Sequence, residues 1–406
     1  MSVKFNFYEN RYLPKNRGAF LKKILYIILF VTFVMFSNVY AEVKNDYKAA
    51  IIMETNTGKV LFQYNMNKVL PQASLTKLIT YYTYMKFADK EGINQDKRIT
   101  IDVKNFNIPP GGSQIYLKKG DVISIRDLIS ALFIISANDS AKALERIYNS
   151  YGQNLVENMN EISKELGFKN SSFVNVSGLT DQVGNVKRYN VTTAYELASL
   201  SRLVLKEYPD ILKTTSKTSC IIKNKKYYST NKLLFKYKNI DGLKTGRTVE
   251  AGYCVAVTED VSKAIGNGKS TRLLAIVLGC STDAARFREG KELLDYAKDN
   301  FVNTKTVSTD NPIKIDAEFY KNGYIKCNTK EDVYVLRNKD EKISKTIVFS
   351  NKLNSNILKN DKIGTIVVKT GDQTIKQELF ASDNYKLKAW PVRLFISIKN
   401  FFGNLF

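Results

Sequence analysis

Residues 70–80 read LPQASLTKLIT and set Ser74 and Lys77 three positions apart. On a helix those two side chains share a face, one turn from each other. The chain has no histidine in its 406 residues. A serine nucleophile here therefore cannot pass its proton to an imidazole, as a Ser-His-Asp triad does. Ser74 is either a helix cap or a nucleophile served by a lysine base. The second reading carries a condition. A lysine acts as a base only where burial or a nearby cation disfavours its charged form, so a second lysine is expected in the pocket. The S-x-x-K spacing alone decides little, because Ser229-Thr230-Asn231-Lys232 fits it too.

Two further elements change the weight. Ser136-Ala137-Asn138 falls at a polar break between two apolar helical stretches in DLISALFIISANDSAKALERIYNSY. Polar groups inserted there are costly unless they face a cavity. A serine hydroxyl there can relay a proton, and an asparagine amide can bond a lysine and a substrate amide together. Farther on, DGLKTGRTVEAGYC brings Lys244-Thr245-Gly246 to the start of a strand. Lys244 is the second cation the base requires. Thr245 can bond a carboxylate, and Gly246 lets a peptide lie against the strand edge. Lys369-Thr370-Gly371 repeats the triplet in VVKTGDQTI, with no serine element near it, and reads as a hairpin turn.

The length suggests two domains, and 44% hydrophobic with 25% charged residues is a globular composition. Lys22 and Lys23 precede an uncharged run from Ile24 to Ala41 that ends Val39-Tyr40-Ala41, the pattern of a signal peptide over residues 1–41. An uncleaved membrane anchor is the rival reading, since the apolar run is nearly long enough to span a bilayer. The formal charge is +23, and about +18 remains beyond residue 41. That favours anionic partners, but no zinc-finger, P-loop or RNP-like motif accompanies it, so nucleic acid is not expected. Cys220, Cys254, Cys280 and Cys327 form no C-x-x-C pair, which argues against a metal site.

Helices in the middle of the chain and strands at both ends predict an α+β fold, with an antiparallel sheet whose outer strands come from opposite chain ends. Short alternating strands after about Phe301 predict a small all-β domain. In the tail AWPVRLFISIKNFFGNLF, Leu394, Phe395, Ile398, Phe401, Phe402 and Leu405 fall on one helical face. That helix is too short to span a membrane and suits its interface, with Trp390 at headgroup level. A helix packed on the β domain is the other reading.

S-x-x-K, S-x-N and K-T-G in this order are the signature of penicillin-recognising serine enzymes. Here the chain resembles the D-alanyl-D-alanine carboxypeptidases, the low-molecular-mass penicillin-binding proteins of bacteria. The likeness runs from about Ala49 to Phe301. It includes TGKVLFQYNMNKVLPQASLTKLIT, GGSQIYLKKGD, NDSAKALERI, MNEISKELGFKNSSFVNVSGL and DGLKTGRTVEAGYC in family order. The resemblance implies a penicillin-binding/β-lactamase-like transpeptidase domain at 42–303, a C-terminal β domain at 304–384 and an amphipathic membrane-associating helix at 385–406. The chain departs from the family pattern at Val176-Ser177, Arg188-Tyr189 and Arg247, none of them a motif position.

The mechanism implied by the resemblance makes Ser74 the nucleophile, Lys77 its base and Ser136 a proton carrier. Asn138, Lys244, Thr245, Gly246 and Arg247 bind substrate, and backbone N–H groups of Ser74 and Arg247 form the oxyanion hole. No cofactor or metal is implied. The expected partners are a peptidoglycan stem peptide ending in D-Ala-D-Ala, β-lactams, and the outer surface of the cytoplasmic membrane. A β-lactamase with the same core, and a non-catalytic penicillin sensor or wall-binding protein, remain alternatives. A class A lactamase carries a water-holding glutamate between S-x-N and K-T-G. The acids in that interval include Glu145, Glu161, Glu165 and Glu196, all in helical patterns.

Overall fold

In the computed structural model, residues 45–371 and 373–403 are described; the expected signal peptide lies outside them. The chain opens with a hairpin, β1 (Ala49–Glu54) and β2 (Val60–Tyr64). A tight 3-10 turn over Ala73–Thr76 then runs into α1 (Lys77–Lys90). Next come α2 (Ile125–Ser130), prolonged by a π turn over Ala131–Ile135, then α3 (Asn138–Asn149) and α4 (Leu155–Glu165). A short hairpin, β3 (Asp181–Val183) and β4 (Val186–Arg188), precedes α5 (Ala194–Glu207). A second hairpin is β5 (Ser219–Ile222) and β6 (Lys225–Tyr228). The lobe closes with β7 (Ile240–Thr248), β8 (Gly252–Asp260), β9 (Arg272–Cys280) and α6 (Asp283–Asn300).

The principal sheet has the order β7-β8-β9-β1-β2, every neighbour antiparallel. Its edges come from opposite parts of the chain, as the sequence predicts. Successive strand residues point to opposite faces, and here both faces are buried. Ala49, Ile51, Met53, Cys254, Ala256, Leu274 and Ile276 join the core shared with α1 to α5. Ala50, Ile52, Val255, Val257, Leu273 and Ala275 join the core under α6. The strands are therefore near-continuously apolar, and the sheet is the middle of three layers.

The sequence predicts one apolar side for the helix that follows Ser74, through Leu75, Leu78, Ile79 and Tyr82. The structure leaves Lys86, Asp89 and Lys90 exposed and buries α1 along most of its surface, Lys77, Thr80 and Thr83 included. Thr80 manages this by donating its hydroxyl to Val176 O (2.8 Å). A helix buried along its first two turns is a rigid platform, and the Ser74 turn sits at its head.

The β module comprises β10 (Phe301–Val307), β11 (Ile313–Asp316), β12 (Tyr324–Asn328), β13 (Val333–Asn338), β14 (Ser344–Phe349), β15 (Lys362–Thr370) and β16 (Gln373–Ala381). Its main sheet has the order β11-β12-β16-β15-β14, and β10 pairs with β13. Thr370 pairs with Gln373 across the hairpin turn, so the second K-T-G triplet closes that hairpin. Lys59 Nζ donates to Leu336 O (2.9 Å) and Asn303 Nδ2 to Thr271 Oγ1 (2.6 Å), tying the module to the enzyme lobe.

The tail forms α7 (Trp390–Gly403). Trp390, Leu394, Phe395 and Ile398 are exposed, Trp390 by 69% and Phe395 by 68%. The apolar stripe is therefore not covered by the β module along these four residues. Phe401, Phe402 and Leu405 lie outside the described side chains. No helix among the described residues is long and apolar enough to cross a membrane. All four cysteines are free, and Cys254, Cys280 and Cys327 are buried.

Candidate active site

Four segments converge on the Ser74 turn. The turn has an unusual entry: Ala73 has φ 49°, a left-handed conformation costly for a residue with a Cβ. Gly178 explains how neighbours fit against it. A Cβ built at Gly178 would fall 1.9 Å from Ala73 O, and φ there is 79°, so glycine alone is tolerated. At β7, the edge strand, a Cβ at Gly246 would meet Gln72 O at 3.0 Å and Ser74 N at 3.1 Å. The sequence assigns Gly246 to substrate approach. The structure gives it a nearer task, the packing of β7 against the Ser74 turn.

Lys77 begins α1 and is wholly buried. Its Nζ donates to Ser74 Oγ (2.9 Å), Asn138 Oδ1 (2.8 Å) and Ser177 O (2.8 Å). Burial lowers its pKa from the ordinary 10.5 to about 7, and the charge of Asp139 opposes the shift. Lys244 is 1% exposed and donates to Ser136 Oγ (2.8 Å) and Thr245 O (2.6 Å). Its pKa is pushed well below the lysine range by burial first, then by Lys77 and Arg286. The sequence requires the second cation to discharge Lys77. In the structure burial is the main cause for both lysines; the charge of Lys77 adds to the shift of Lys244, whereas Lys77 owes its low pKa to burial alone, against the pull of Asp139.

Ser136 ends the π turn in a left-handed conformation (φ 63°), which turns its side chain out of the helix path. Asp139, one residue past Asn138, is buried. Its carboxylate accepts from the N–H groups of Ile115 (3.0 Å), Leu117 (3.1 Å) and Ser140 (2.9 Å), and burial raises its pKa. With Asn138 N donating to Ser113 O (2.8 Å), it fixes the loop of Pro109 to Ser113 beside the site.

These groups open on a cleft of about 510 Å³ whose lining includes Ser74, Ser136, Asn138, Thr245, Gly246 and Arg247. Six of the eight residues named from the sequence thus share one cavity, and Lys77 and Lys244 lie buried behind Ser74 and Ser136. Thr245 Oγ1 lies 2.6 Å from Thr230 Oγ1. The Arg247 guanidinium is exposed and stacks on Tyr253 (5.0 Å to the centroid). The competing S-x-x-K separates: Ser229 Oγ accepts from Asn231 N, while Lys232 pairs with Asp283.

Sequence reasoning misses several partners. Arg286 is buried at the cleft, donates to Gly246 O (2.8 Å), and also stacks on Tyr253, at 5.4 Å from the ring. Asn190 braces the segment that carries Ser177, donating to Thr76 Oγ1 (2.9 Å) and Asn175 O (2.8 Å). Glu250 lines the cleft and accepts from Lys187 (2.8 Å) and Thr180 (2.7 Å), which holds its pKa down at about 2. Glu145, Glu161, Glu165 and Glu196 do not line the cleft. Glu196 instead accepts from Asn170 and Ser171.

A buried serine–lysine pair beside a second serine–lysine pair, at the edge of a five-stranded antiparallel sheet, defines a serine acyl-transfer enzyme without histidine. The family model described as D-alanyl-D-alanine carboxypeptidase matches residues 37–282, and that of the penicillin-binding protein 5 C-terminal domain matches 301–387. The chain is 29% identical over 358 residues to D-alanyl-D-alanine carboxypeptidase DacF of Bacillus subtilis, covering 86% of this chain and 88% of that one. It is 30% identical over 275 residues to DacD of Escherichia coli, covering 66% and 68% respectively. Among solved structures, penicillin-binding protein D2 of Listeria monocytogenes in its cefotaxime-bound form is 31% identical with a TM-score of 0.54, covering 62% of this chain and 96% of that one. The chain belongs to the D-alanyl-D-alanine carboxypeptidase family, serine-type peptidases that are also penicillin-binding proteins.

Proposed function

We propose that Ser74 is the nucleophile and Lys77 its base in the removal of the terminal D-alanine from peptidoglycan stem peptides. The observation that carries this is the 2.9 Å contact between Lys77 Nζ and Ser74 Oγ, with Lys77 near pKa 7. A neutral amine keeps two N–H donors and gains a lone pair. The donors stay on Asn138 Oδ1 and Ser177 O while the lone pair takes the Ser74 proton. Ser74 Oγ then attacks the carbonyl between the two D-alanines. Backbone N–H groups of Ser74 and Arg247 receive the developing oxyanion, usually the largest single contribution in such chemistry.

Ser136, hydrogen-bonded to Lys244 Nζ, relays a proton to the leaving amine, and the proton that Lys77 took from Ser74 replaces it, so Lys77 is neutral again before water attacks. Asn138 Oδ1 is engaged by Lys77, which leaves its Nδ2 to donate to the substrate backbone. Thr245 and Arg247 meet the terminal carboxylate, and the buried Arg286 adds positive field beneath them. Water then releases the shortened peptide from Ser74.

The enzyme works outside the cytoplasm, with the apolar face of α7 lying in the outer surface of the cytoplasmic membrane. The exposed stripe of Trp390, Leu394, Phe395 and Ile398 supports this. Mass spectrometry of a peptide ending in D-Ala-D-Ala tests the reaction. The wild type should remove one alanine and Ser74→Ala none; equal loss with both rejects the assignment.

A further inference from the structure

Asp139 stands one residue past Asn138 at the start of α3, and the hydrolysis gives it no step. Its carboxylate is buried and accepts from main-chain N–H groups: Ile115 (3.2 Å to Oδ1, 3.0 Å to Oδ2), Leu117 (3.1 Å to Oδ2) and Ser140 (2.9 Å to Oδ1). Tyr116, between the first two, has φ 58°, and this left-handed turn lets both N–H groups face one carboxylate. Burial raises the pKa of Asp139, and the N–H groups of Leu117, Ile115 and Ser140 oppose the rise. None of these donors is charged, so the ionised carboxylate keeps its full negative charge. A buried charge is costly unless one of opposite sign shares its surroundings.

That opposite sign comes from the base. Lys77 Nζ donates to Asn138 Oδ1 (2.8 Å), next to Asp139 in the chain, and the charge of Asp139 favours the protonated form of Lys77. The other charged groups near the base are cations or are engaged. Lys244 on β7 is close enough for Lys77 to lower its pKa, and Arg286 on α6 acts on Lys244 in the same direction. At the cleft, Glu250 is tied to Lys187 and Thr180, and Arg247 stacks on Tyr253. Glu207 of α5 and Glu165 of α4 bear on Tyr82, farther along α1. Asp139 itself also bears on Tyr227 of β6 and shares a cavity wall with Lys118, while Lys142 of α3 donates to Phe106 O (3.1 Å).

We propose that Asp139 is a positioning residue for the base: its carboxylate is the counter-charge of the Lys77–Lys244 pocket, held in place by the loop that walls the cleft. Ser113 lines that cleft and its carbonyl accepts from Asn138 N (2.8 Å), so residues 138 and 139 grip the segment 113–117 at both ends. The loop thereby fixes how far the charge lies from Lys77. The proposal rests on the reading of Lys77 as the base and adds what sets the pH at which that base works.

The pH profile of acylation by a fluorescent penicillin tests it in the wild type, Asp139→Asn and Asp139→Glu. Without the negative charge Lys77 gives up its proton more readily, so the acid limb of Asp139→Asn should move below that of the wild type. The ratio of the rate at pH 6 to that at pH 9 then rises severalfold, while the plateau falls because a weaker base is left. Asp139→Glu keeps the charge and displaces the N–H contacts, so its plateau should fall with the limb in place. Slower acylation at every pH in both variants, with neither limb moved, is the mark of a loop brace alone and overturns the proposal. If Asp139→Asn does not fold, the wild type reads the same coupling. The ¹³C shift of the Asp139 carboxyl should inflect at the pH of the acylation limb, as Lys77 discharges, and a carboxyl silent there overturns the proposal. A wild-type limb near pH 9 or 10 overturns the reading of Lys77 as the base and the proposal with it, whereas a limb near 7 that Asp139→Asn leaves unmoved overturns the part of Asp139 alone.

Discussion

Lys77 Nζ is held between Ser74 Oγ at 2.9 Å and the main-chain oxygen of Ser177 at 2.8 Å, one a side chain three residues away and the other a backbone atom 100 residues along the chain. In the proposed mechanism the first contact is the one through which the lysine takes the serine proton. The second, with Asn138, keeps its amine aimed when it is neutral.

The pH dependence follows from that arrangement. Burial brings Lys77 to about pKa 7, so its neutral form fills as pH rises through 7. kcat/KM for a D-Ala-D-Ala peptide should climb nearly tenfold per pH unit below that point and level off above it. The same shift affects stability with a fixed sign. The unfolded chain binds the Lys77 proton up to the ordinary 10.5, so between about 7 and 10.5 it holds more protons than the folded chain. This group therefore makes the folded state more stable as pH rises through that window. An activity limb near pH 9 or 10 would mean that Lys77 stays charged in the free enzyme.

Two lysine substitutions should separate cleanly. Lys77→Ala removes the base and should cut acylation by about 10²–10⁴-fold, the usual worth of a general base. Lys369→Ala alters the hairpin copy of K-T-G and should acylate as the wild type does. Stopped-flow acylation by a fluorescent penicillin reads both, and loss of rate at Lys369 would invert the reading of the two triplets.

Much of this site is legible in the sequence because three short motifs carry its side chains in fixed order. With no histidine in the chain, lysine is left as the base for a serine nucleophile. What stays hidden is physically of another kind. Lys77 uses the carbonyl of Ser177, and a carbonyl is present whatever the side chain, so the departure at Val176-Ser177 removes nothing the base needs. Gly178 and Gly246 matter through atoms they lack. Arg286 reaches the cleft from α6, a helix whose sequence looks like an ordinary charged surface. The enclosure of α1 is hidden because Thr80 and Thr83 read as a polar face; Thr80 is in fact satisfied by a carbonyl 96 residues away.

Gly178→Ala tests the hidden part. The new methyl would collide with Ala73 O in a backbone conformation that alanine disfavours. The cost should be about 2–4 kcal/mol of stability, with acylation slowed because Ser74 and Ser177 O move together. Urea unfolding and the acylation assay check both. A variant as stable and as fast as the wild type would show the Ala73–Gly178 contact to be slack.

Removal of residues 389–406 should release the enzyme from neutral vesicles with peptide turnover intact. The cut falls after the last main-chain anchors of the β module, Leu387 N to Asn356 Oδ1 (2.9 Å) and Lys388 N to Phe319 O (2.8 Å). Sedimentation measures it, and a truncated protein that still pellets would place the membrane contact elsewhere in the chain.

Peptide mapping by mass spectrometry after incubation with penicillin tests the central claim most directly. Glu250, the acid that lines the cleft among the described residues, is tied to Lys187 and Thr180, so no free carboxylate is held ready to activate water against the ester. The account predicts a single penicilloyl adduct on the peptide containing Ser74, lasting minutes or longer, and none in Ser74→Ala. An adduct on Ser229 or Ser136, or rapid multiple turnover of penicillin with no release of D-alanine from the peptide, would contradict it.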